Sequence, residues 1–359
     1  MANSLKALGF TQHNLQEAAS HEGFYPGRVI SQYKDYYRVA TEKSEMVAEV
    51  AGKLRYNALT SADYPAVGDF VLVDREEGEA GNAIIHHILK RRSIFERKAA
   101  GTGQETQVIA VNIDTVFICM ALNNDFNLRR LERYLAIAWS SGAVPVVVLT
   151  KADLSDDITD KLNQVETVAL GIDVLVTTSL TDDGYLPIKK YIANGKTVAF
   201  IGSSGVGKST LINRLLGVDL IETRETRKDD KGRHTTTRRD LILVPSGGAV
   251  IDTPGMRELG VESADLGKTF ADIDELAMKC RFNDCTHSSE PGCAVLKAVA
   301  DGEISEKRLE NYRKLQKEAV YEGLNGRQIE QEKINRMFSG FGGIKNARNY
   351  IKHKSKRTR

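Results

Sequence analysis

The 359-residue sequence has no apolar run long enough to cross a bilayer. Its longer ones, such as Ala143 to Leu149 and Val198 to Ile201, fall far short of the roughly 20 residues a spanning helix needs. The start, Met1-Ala2-Asn3-Ser4-Leu5, lacks a basic segment followed by an apolar one. The expectation is therefore a cytoplasmic protein with no membrane partner. Net charge is scarce as well: at +2 it gives no overall electrostatic attraction to nucleic acid. No internal repeat is present, which excludes a solenoid. Only four cysteines occur, and in a cytosolic chain they are not a disulfide framework.

What is present is unevenly distributed. Cys119 lies alone in the apolar run Val116-Phe117-Ile118-Cys119-Met120 and reads as a buried structural thiol. The other three, Cys280, Cys285 and Cys293, fall within fourteen residues together with His287. Three thiolates and one imidazole at that spacing are the donor set of a closed structural Zn²⁺ site, which leaves no ligand position for water and so points to folding rather than catalysis. Positive charge collects at the far end, where Lys345, Arg348, Lys352, Lys354, Lys356, Arg357 and Arg359 stand with no acid among them, a pattern suited to phosphate contacts.

Between Gly27 and Phe95 the β-branched and aromatic runs are short and separated by turns: Arg28 to Ser31, Tyr36 to Thr41, Glu45 to Val50, Val67 to Asp74 and Ala83 to Leu89. Five such strands predict a small barrel of the OB or SH3-like kind. Lys90, Arg91, Arg92, Arg97 and Lys98 add positive charge near its end for RNA, although surface aromatics are not evident. Glu96 to Thr106, with Gly101-Thr102-Gly103, reads as a linker. Beyond it, strands at Thr115–Met120, Val144–Leu149, Asp173–Thr177, Thr197–Ile201, Leu241–Val244 and Ala249–Ile251 alternate with helices near Leu128–Trp139, Ile158–Leu170, Leu186–Ala193 and Lys208–Leu216. That alternation predicts a parallel, doubly wound α/β sheet. A charged helix is expected from Ser305 to about Glu322.

Gly202-Ser203-Ser204-Gly205-Val206-Gly207-Lys208-Ser209 fits a phosphate-binding loop placed between a strand and a helix, where glycines let backbone N–H groups point at phosphate and the helix terminus adds a positive dipole. Thr210 follows in the same helix. Lys208 is the candidate for the β- and γ-phosphates, and Ser209 for Mg²⁺. Thr150-Lys151-Ala152-Asp153 carries the base reader: Asp153 can accept from N1–H and the exocyclic amine of guanine, donors that adenine lacks on that edge. Ser179 at the end of the next strand belongs with it, and Lys151 is expected along the ring. Asp252-Thr253-Pro254-Gly255 supplies a carboxylate for Mg²⁺ through water and a Gly255 amide for the γ-phosphate. All of these fall at strand carboxyl ends, the edge where open α/β sheets bind ligands.

Between the two phosphate motifs lies Gly232-Arg233-His234-Thr235-Thr236-Thr237-Arg238-Arg239-Asp240, a candidate switch in which Thr236, or else Thr237, ligates Mg²⁺ when GTP is bound. Met256 stands where a water-orienting glutamine is usual, so intrinsic hydrolysis is expected to be slow and His234 is a candidate for the missing group. The guanine motif precedes the phosphate loop, the reverse of the ordinary order, so the core is circularly permuted.

With these motifs the chain resembles the ribosome small subunit-dependent GTPase A family, the RsgA/YjeQ/YloQ group. The resemblance rests on Thr150 to Asp153 preceding Gly202 to Ser209, on Gly232 to Thr237, on Asp252 to Gly255 and on the Cys280, Cys285, His287, Cys293 cluster. It implies an OB barrel, GTP hydrolysis to GDP stimulated by the small ribosomal subunit, binding of its rRNA, and a role late in subunit assembly. Thr150 departs from the asparagine of many GTPases, which is expected to alter bonding within the loops more than guanine reading. The expected organisation is a barrel with an N-terminal extension over 1–98, the permuted core over 107–272, a helical zinc domain over 273–340 and a basic tail over 341–359, acting as a monomer. Because the core ends at Asp252 to Gly255, the chain from Met256 onward feeds the zinc domain while the barrel joins the opposite end. Nucleotide state is thereby expected to reset the zinc domain against the barrel.

Overall fold

A computed structural model of the protein describes residues 4–78, 81–98, 106–178, 181, 183–218, 239–245, 247–252 and 269–320. The first helix, α1 (Gln12–Ala19), is started by a capping box in which Thr11 and Asn14 exchange side-chain and backbone bonds. Five strands then follow: β1 (Tyr25–Gln32), β2 (Tyr37–Thr41), β3 (Glu45–Val50), β4 (Phe70–Val73) and β5 (Ala83–Ile88), with the short helix α2 (Gly52–Asn57) between the third and fourth. Their pairing runs β1-β2-β3-β5-β4 and closes through β1 against β4. Every contact is antiparallel except β3 with β5. This is a closed OB-like barrel, filled by Val29, Val39, Met46, Ala48, Val71, Val73 and Ile85. Alternation along β3, where Met46, Ala48 and Val50 point in and Glu45 and Val47 point out, is the sequence pattern that builds it.

The stretch expected to be a linker is partly strand. β6 (Ile94–Lys98) and β7 (Thr106–Val111) pair antiparallel as a separate ribbon. Polar residues in β6 and the Gly-rich sequence beyond it concealed the pairing. Surface aromatics also exist after all: Tyr25, Tyr36 and Tyr56 of the barrel region are exposed.

The second layer system contains β8 (Thr115–Ala121), α3 (Leu128–Ser141), β9 (Val144–Thr150), α4 (Ile158–Glu166), β10 (Val174–Val176), α5 (Leu186–Lys189), β11 (Thr197–Ile201), α6 (Lys208–Leu216), β12 (Arg239–Leu243) and β13 (Ala249–Asp252). The strand order is β10-β9-β8-β11-β13-β12. The first five are parallel, as the alternation with helices predicts, and β12 is antiparallel to β13 because a direct turn through Gly247 and Gly248 joins them. Chain order reverses between β8 and β11: successive strands step outward from β8 to β10, then resume on its other side. The loops leaving these two neighbours therefore diverge, and a crevice opens at their carboxyl ends.

Barrel and core are not joined only at one end. β1 also pairs with β12, with Ser31 opposite Asp240 and Gln32 opposite Arg239, and the Ser31 hydroxyl donates to the Asp240 carboxylate at 2.6 Å. One sheet thus continues from the α/β core into the barrel. Arg28, fully buried at this joint, donates to the carbonyls of Leu8, Gly68 and Asn112 and stacks over Phe70.

Three helices end the described chain: α7 (Ala271–Ala277), α8 (Ala294–Ala300) and α9 (Glu306–Val320). They share a small core of Phe270, Ile273, Val295, Ala298, Leu309, Tyr312 and Leu315. α9 lies on α3 through buried charge. Arg308 meets Glu132 at 2.5 Å and both oxygens of Asp272 at 2.9 Å, Asn311 donates to the other Glu132 oxygen, and Arg308 also caps the Thr269 carbonyl.

Candidate functional site

The phosphate loop connects β11 to α6, and its glycines adopt conformations other residues resist. Gly202 has φ +142, and a Cβ there would lie 2.4 Å from the Cys119 carbonyl oxygen. Gly207, at φ +102, caps α6. Ser204 and Gly205 are exposed at the tip, while Val206 is buried beneath it. Lys208 is 7 % exposed and turns back into the loop, donating from Nζ to the carbonyls of Gly202 at 2.7 Å and Ser203 at 2.6 Å. Ser209 and Thr210 occupy the first turn of α6, at the positive end of its dipole. The loop therefore has the cradle a polyphosphate requires: a close backbone, a buried ammonium and a helix N-terminus.

The loop after β9 reaches this cradle directly. Thr150 is buried, and its hydroxyl donates to the Val206 carbonyl at 2.5 Å. The Thr150 side chain thus bonds one motif to the other. Lys151 takes a left-handed backbone at φ +57 and leads into the single turn Ala152–Leu154. Asp153 sits in that turn and is exposed. Its carboxylate accepts from the Thr178 hydroxyl at 2.6 Å, and the Ala152 amide donates to Thr177, so the ends of β9 and β10 are tied together. Ser179, one residue on, lies outside the described residues, as do His234, Thr236, Thr237 and Gly255. Asp252 ends β13, half-buried opposite Asp240.

Two residues not singled out from sequence also face the loop. Asp125, from the connection of β8 into α3, and Arg130, in the first turn of α3, meet the Ser203 hydroxyl at 2.5 and 2.9 Å and each other at 2.8 Å. Burial pushes the Asp125 carboxyl up, but the bonds from Ser203 and Arg130 and the positive charge of Arg130 and Lys151 outweigh it and hold it below its usual range. Their spacing in sequence resembles that of any solvated charges, so only the fold brings them out. Cys119 is the inert thiol expected: burial raises it to about 12 against the pull of Lys208.

Three cysteines and a histidine form a second, separate cluster. The ligand atoms of Cys280, Cys285, His287 and Cys293 all lie within 4.8 Å of one another. Cys280 and Cys293 sulfurs are 3.8 Å apart, and His287 Nδ1 is 3.6 Å from the first and 3.4 Å from the second. A tetrahedron with bonds of about 2.3 Å to sulfur and 2.0 Å to nitrogen has edges of roughly 3.5–3.8 Å, which the distances among Cys280, His287 and Cys293 match, and the donor chemistry of the four suits Zn²⁺. Position comes from local structure: His287 takes a left-handed backbone at φ +57, and the Glu290 carboxylate accepts from the amides of Thr286, Ser288 and Ser289 to hold that turn. Cys293 caps α8, its sulfur accepting from the Leu296 amide. Arg313 of α9 donates to the His287 carbonyl, fixing the turn to the helical core.

Comparison with known proteins agrees with this geometry. The RsgA GTPase family profile matches residues 88–262. Small ribosomal subunit biogenesis GTPase RsgA 2 of Lactiplantibacillus plantarum is 51% identical over 346 residues, covering 96% of this chain and 97% of that one. Small ribosomal subunit biogenesis GTPase RsgA 1 of Listeria innocua is 45% identical over 320 residues, with 88% and 90% covered. Among solved structures, YjeQ from Thermotoga maritima superposes with a TM-score of 0.62 at 28% identity, covering 83% of this chain and 99% of its own. YloQ, described as a circularly permuted GTPase, gives 0.58 at 27% identity, with 84% and 96% covered. On sequence across nearly its whole length and on fold, the chain belongs to the RsgA GTPase family.

Proposed function

We propose that the protein is a cytoplasmic GTPase that acts in biogenesis of the small ribosomal subunit, binds its rRNA, and hydrolyses GTP to GDP and phosphate when engaged with it. The observation that carries this reading is the Thr150 to Val206 hydrogen bond, which locks the guanine motif onto the phosphate loop across the crevice. Names of the relatives supply the subunit.

In this reading Lys208 and the loop amides bind the β- and γ-phosphates, and Asp153 selects guanine by accepting from its N1–H and amine, with Lys151 along the ring and Ser179 in support. Ser209, Asp252 and Thr236, or Thr237, hold Mg²⁺, which would supply charge neutralisation on the phosphates. The Gly255 amide meets the γ-phosphate, and His234 orients water in place of the usual glutamine. Cys280, Cys285, His287 and Cys293 hold a structural Zn²⁺. Exposed Tyr25 and Tyr36 on the barrel offer stacking surfaces for RNA bases.

Base selectivity tests the site. GTP and GDP are expected to bind while ATP competes poorly, and Asp153→Ala to erase that preference while leaving phosphate binding in place. Equal binding of ATP by the unaltered protein would make it a P-loop enzyme of another class. A Lys208→Ala variant that associates with small subunits identically in every nucleotide state would instead make it an RNA-binding module in which nucleotide is only structural.

A further inference from the structure

Resting on the GTPase reading of the crevice, we propose that Asp125 and Arg130 are positioning residues for the reaction: they set the phosphate loop from outside, through the hydroxyl of Ser203. Three groups form a closed ring of hydrogen bonds. Ser203 Oγ donates to Asp125 Oδ2 at 2.5 Å, Arg130 Nη1 donates to Ser203 Oγ at 2.9 Å, and the same Nη1 reaches Asp125 Oδ1 at 2.8 Å. A hydroxyl has one hydrogen to give, and here it goes to a carboxylate while an arginine takes a lone pair. Both of those partners are charged, which makes the bonds short and strong.

Ser203 passes this constraint inward. Its own carbonyl is one of the two oxygens that receive the Lys208 ammonium, at 2.6 Å. Fixing the Ser203 side chain on one side of the backbone therefore fixes the peptide that aims Lys208 on the other. The outer ring is itself anchored: Asn127 caps α3 by accepting from the Arg130 amide, Asn123 accepts from the Asp125 amide, and the Asn127 amide donates to Met120 sulfur. The connection from β8 to α3 is thus a built support for the first turn of the loop. Because Arg130 is neutralised by Asp125, it acts by geometry, not by presenting charge to phosphate.

A double-mutant cycle on the full-length protein, read by dissociation constants of a fluorescent GDP and by steady-state GTP turnover, tests the assignment. Ser203→Ala and Arg130→Ala are each expected to weaken GDP binding about tenfold, the value of one charge-assisted hydrogen bond. In the Ser203→Ala background Arg130→Ala should add little, because its route to the loop has been removed. Arg130→Lys should recover part of the loss, and melting temperatures should stay near that of the unaltered protein, since Arg130 is about one-third exposed and Ser203 only half-buried. Fully additive losses would overturn the proposal, for Arg130 would then touch the nucleotide or act independently. Unchanged affinity in both single variants would overturn it too. Failure of the unaltered protein to bind any guanine nucleotide would sink the functional reading and the clamp together, whereas normal binding with additive variants sinks the clamp alone.

Discussion

At the scale of single residues, the crevice depends on atoms that cannot be enlarged or moved. Gly202→Ala would bring a methyl carbon to 2.4 Å from the Cys119 carbonyl and force an L-residue to φ +142. Backbone must shift, at a cost of about 1–3 kcal/mol for the strained conformation, and the loop would lose its shape. The expected result is abolished GTP binding with a measurable loss in melting temperature, checked by calorimetry. Glu290 shows a different dependence. Its carboxyl is held well below the ordinary 4.5 by the Thr286 hydroxyl first and then by the amides of Ser289 and Thr286. A depressed acid stabilises the fold above its ordinary pKa and loses that contribution as pH falls through the lower folded value. Glu290→Gln should therefore abolish this increment at neutral pH and make zinc easier to remove, by about 10–100-fold in affinity if the turn acts as an outer-shell support. Chelator competition at neutral pH checks it. The grouping of Cys280, Cys285, His287 and Cys293 and the loop glycines were legible in sequence because their chemistry is tied to spacing. Asp125 and Arg130 were not, since a hydrogen-bonded ring between the phosphate loop and the start of α3 leaves no spacing to read.

At the scale of elements, the docking of α9 on α3 is the contact most open to test. Glu132 is 2 % and Arg308 6 % exposed, and burial pushes the Glu132 carboxyl up while Arg308 and Asn311 pull it back. Removing one member of a buried pair leaves an unpaired charge, at a cost of about 3–5 kcal/mol. Arg308→Met should destabilise the protein by that amount. The pair Arg308→Met with Glu132→Leu should be closer to the unaltered protein than the sum of the singles, as urea unfolding would measure. Strands and helices of the core were readable because β-branched runs and helical periodicity alternate, and α6 has the bounds its sequence predicts. The β6–β7 ribbon and the antiparallel β12 were not, because Glu96-Arg97-Lys98 carries no apolar alternation and the direction of β12 is set by the turn that joins it to β13.

At the scale of the molecule, permutation distributes the candidate switch between two neighbours. Asp252 ends β13, and in sequence the chain continues from it to the helices that carry the Cys280, Cys285, His287 and Cys293 cluster. β12, which begins at Arg239 directly after Gly232 to Arg238, is paired to barrel strand β1. The barrel is therefore attached through β12 as well, and not only at the opposite end of the core, a joint that no strand-by-strand reading of sequence could supply. The helices around the Cys280, Cys285, His287 and Cys293 cluster have a small core, so chelation of a metal held there should loosen Ala271–Val320 while the barrel and α/β sheet keep their protection from hydrogen exchange. The most direct test of the account is GTP turnover by the purified protein alone, with purified small ribosomal subunits, and with large subunits. Slow turnover alone, a large rise with small subunits and none with large ones is the predicted result; the same rate in all three would contradict it.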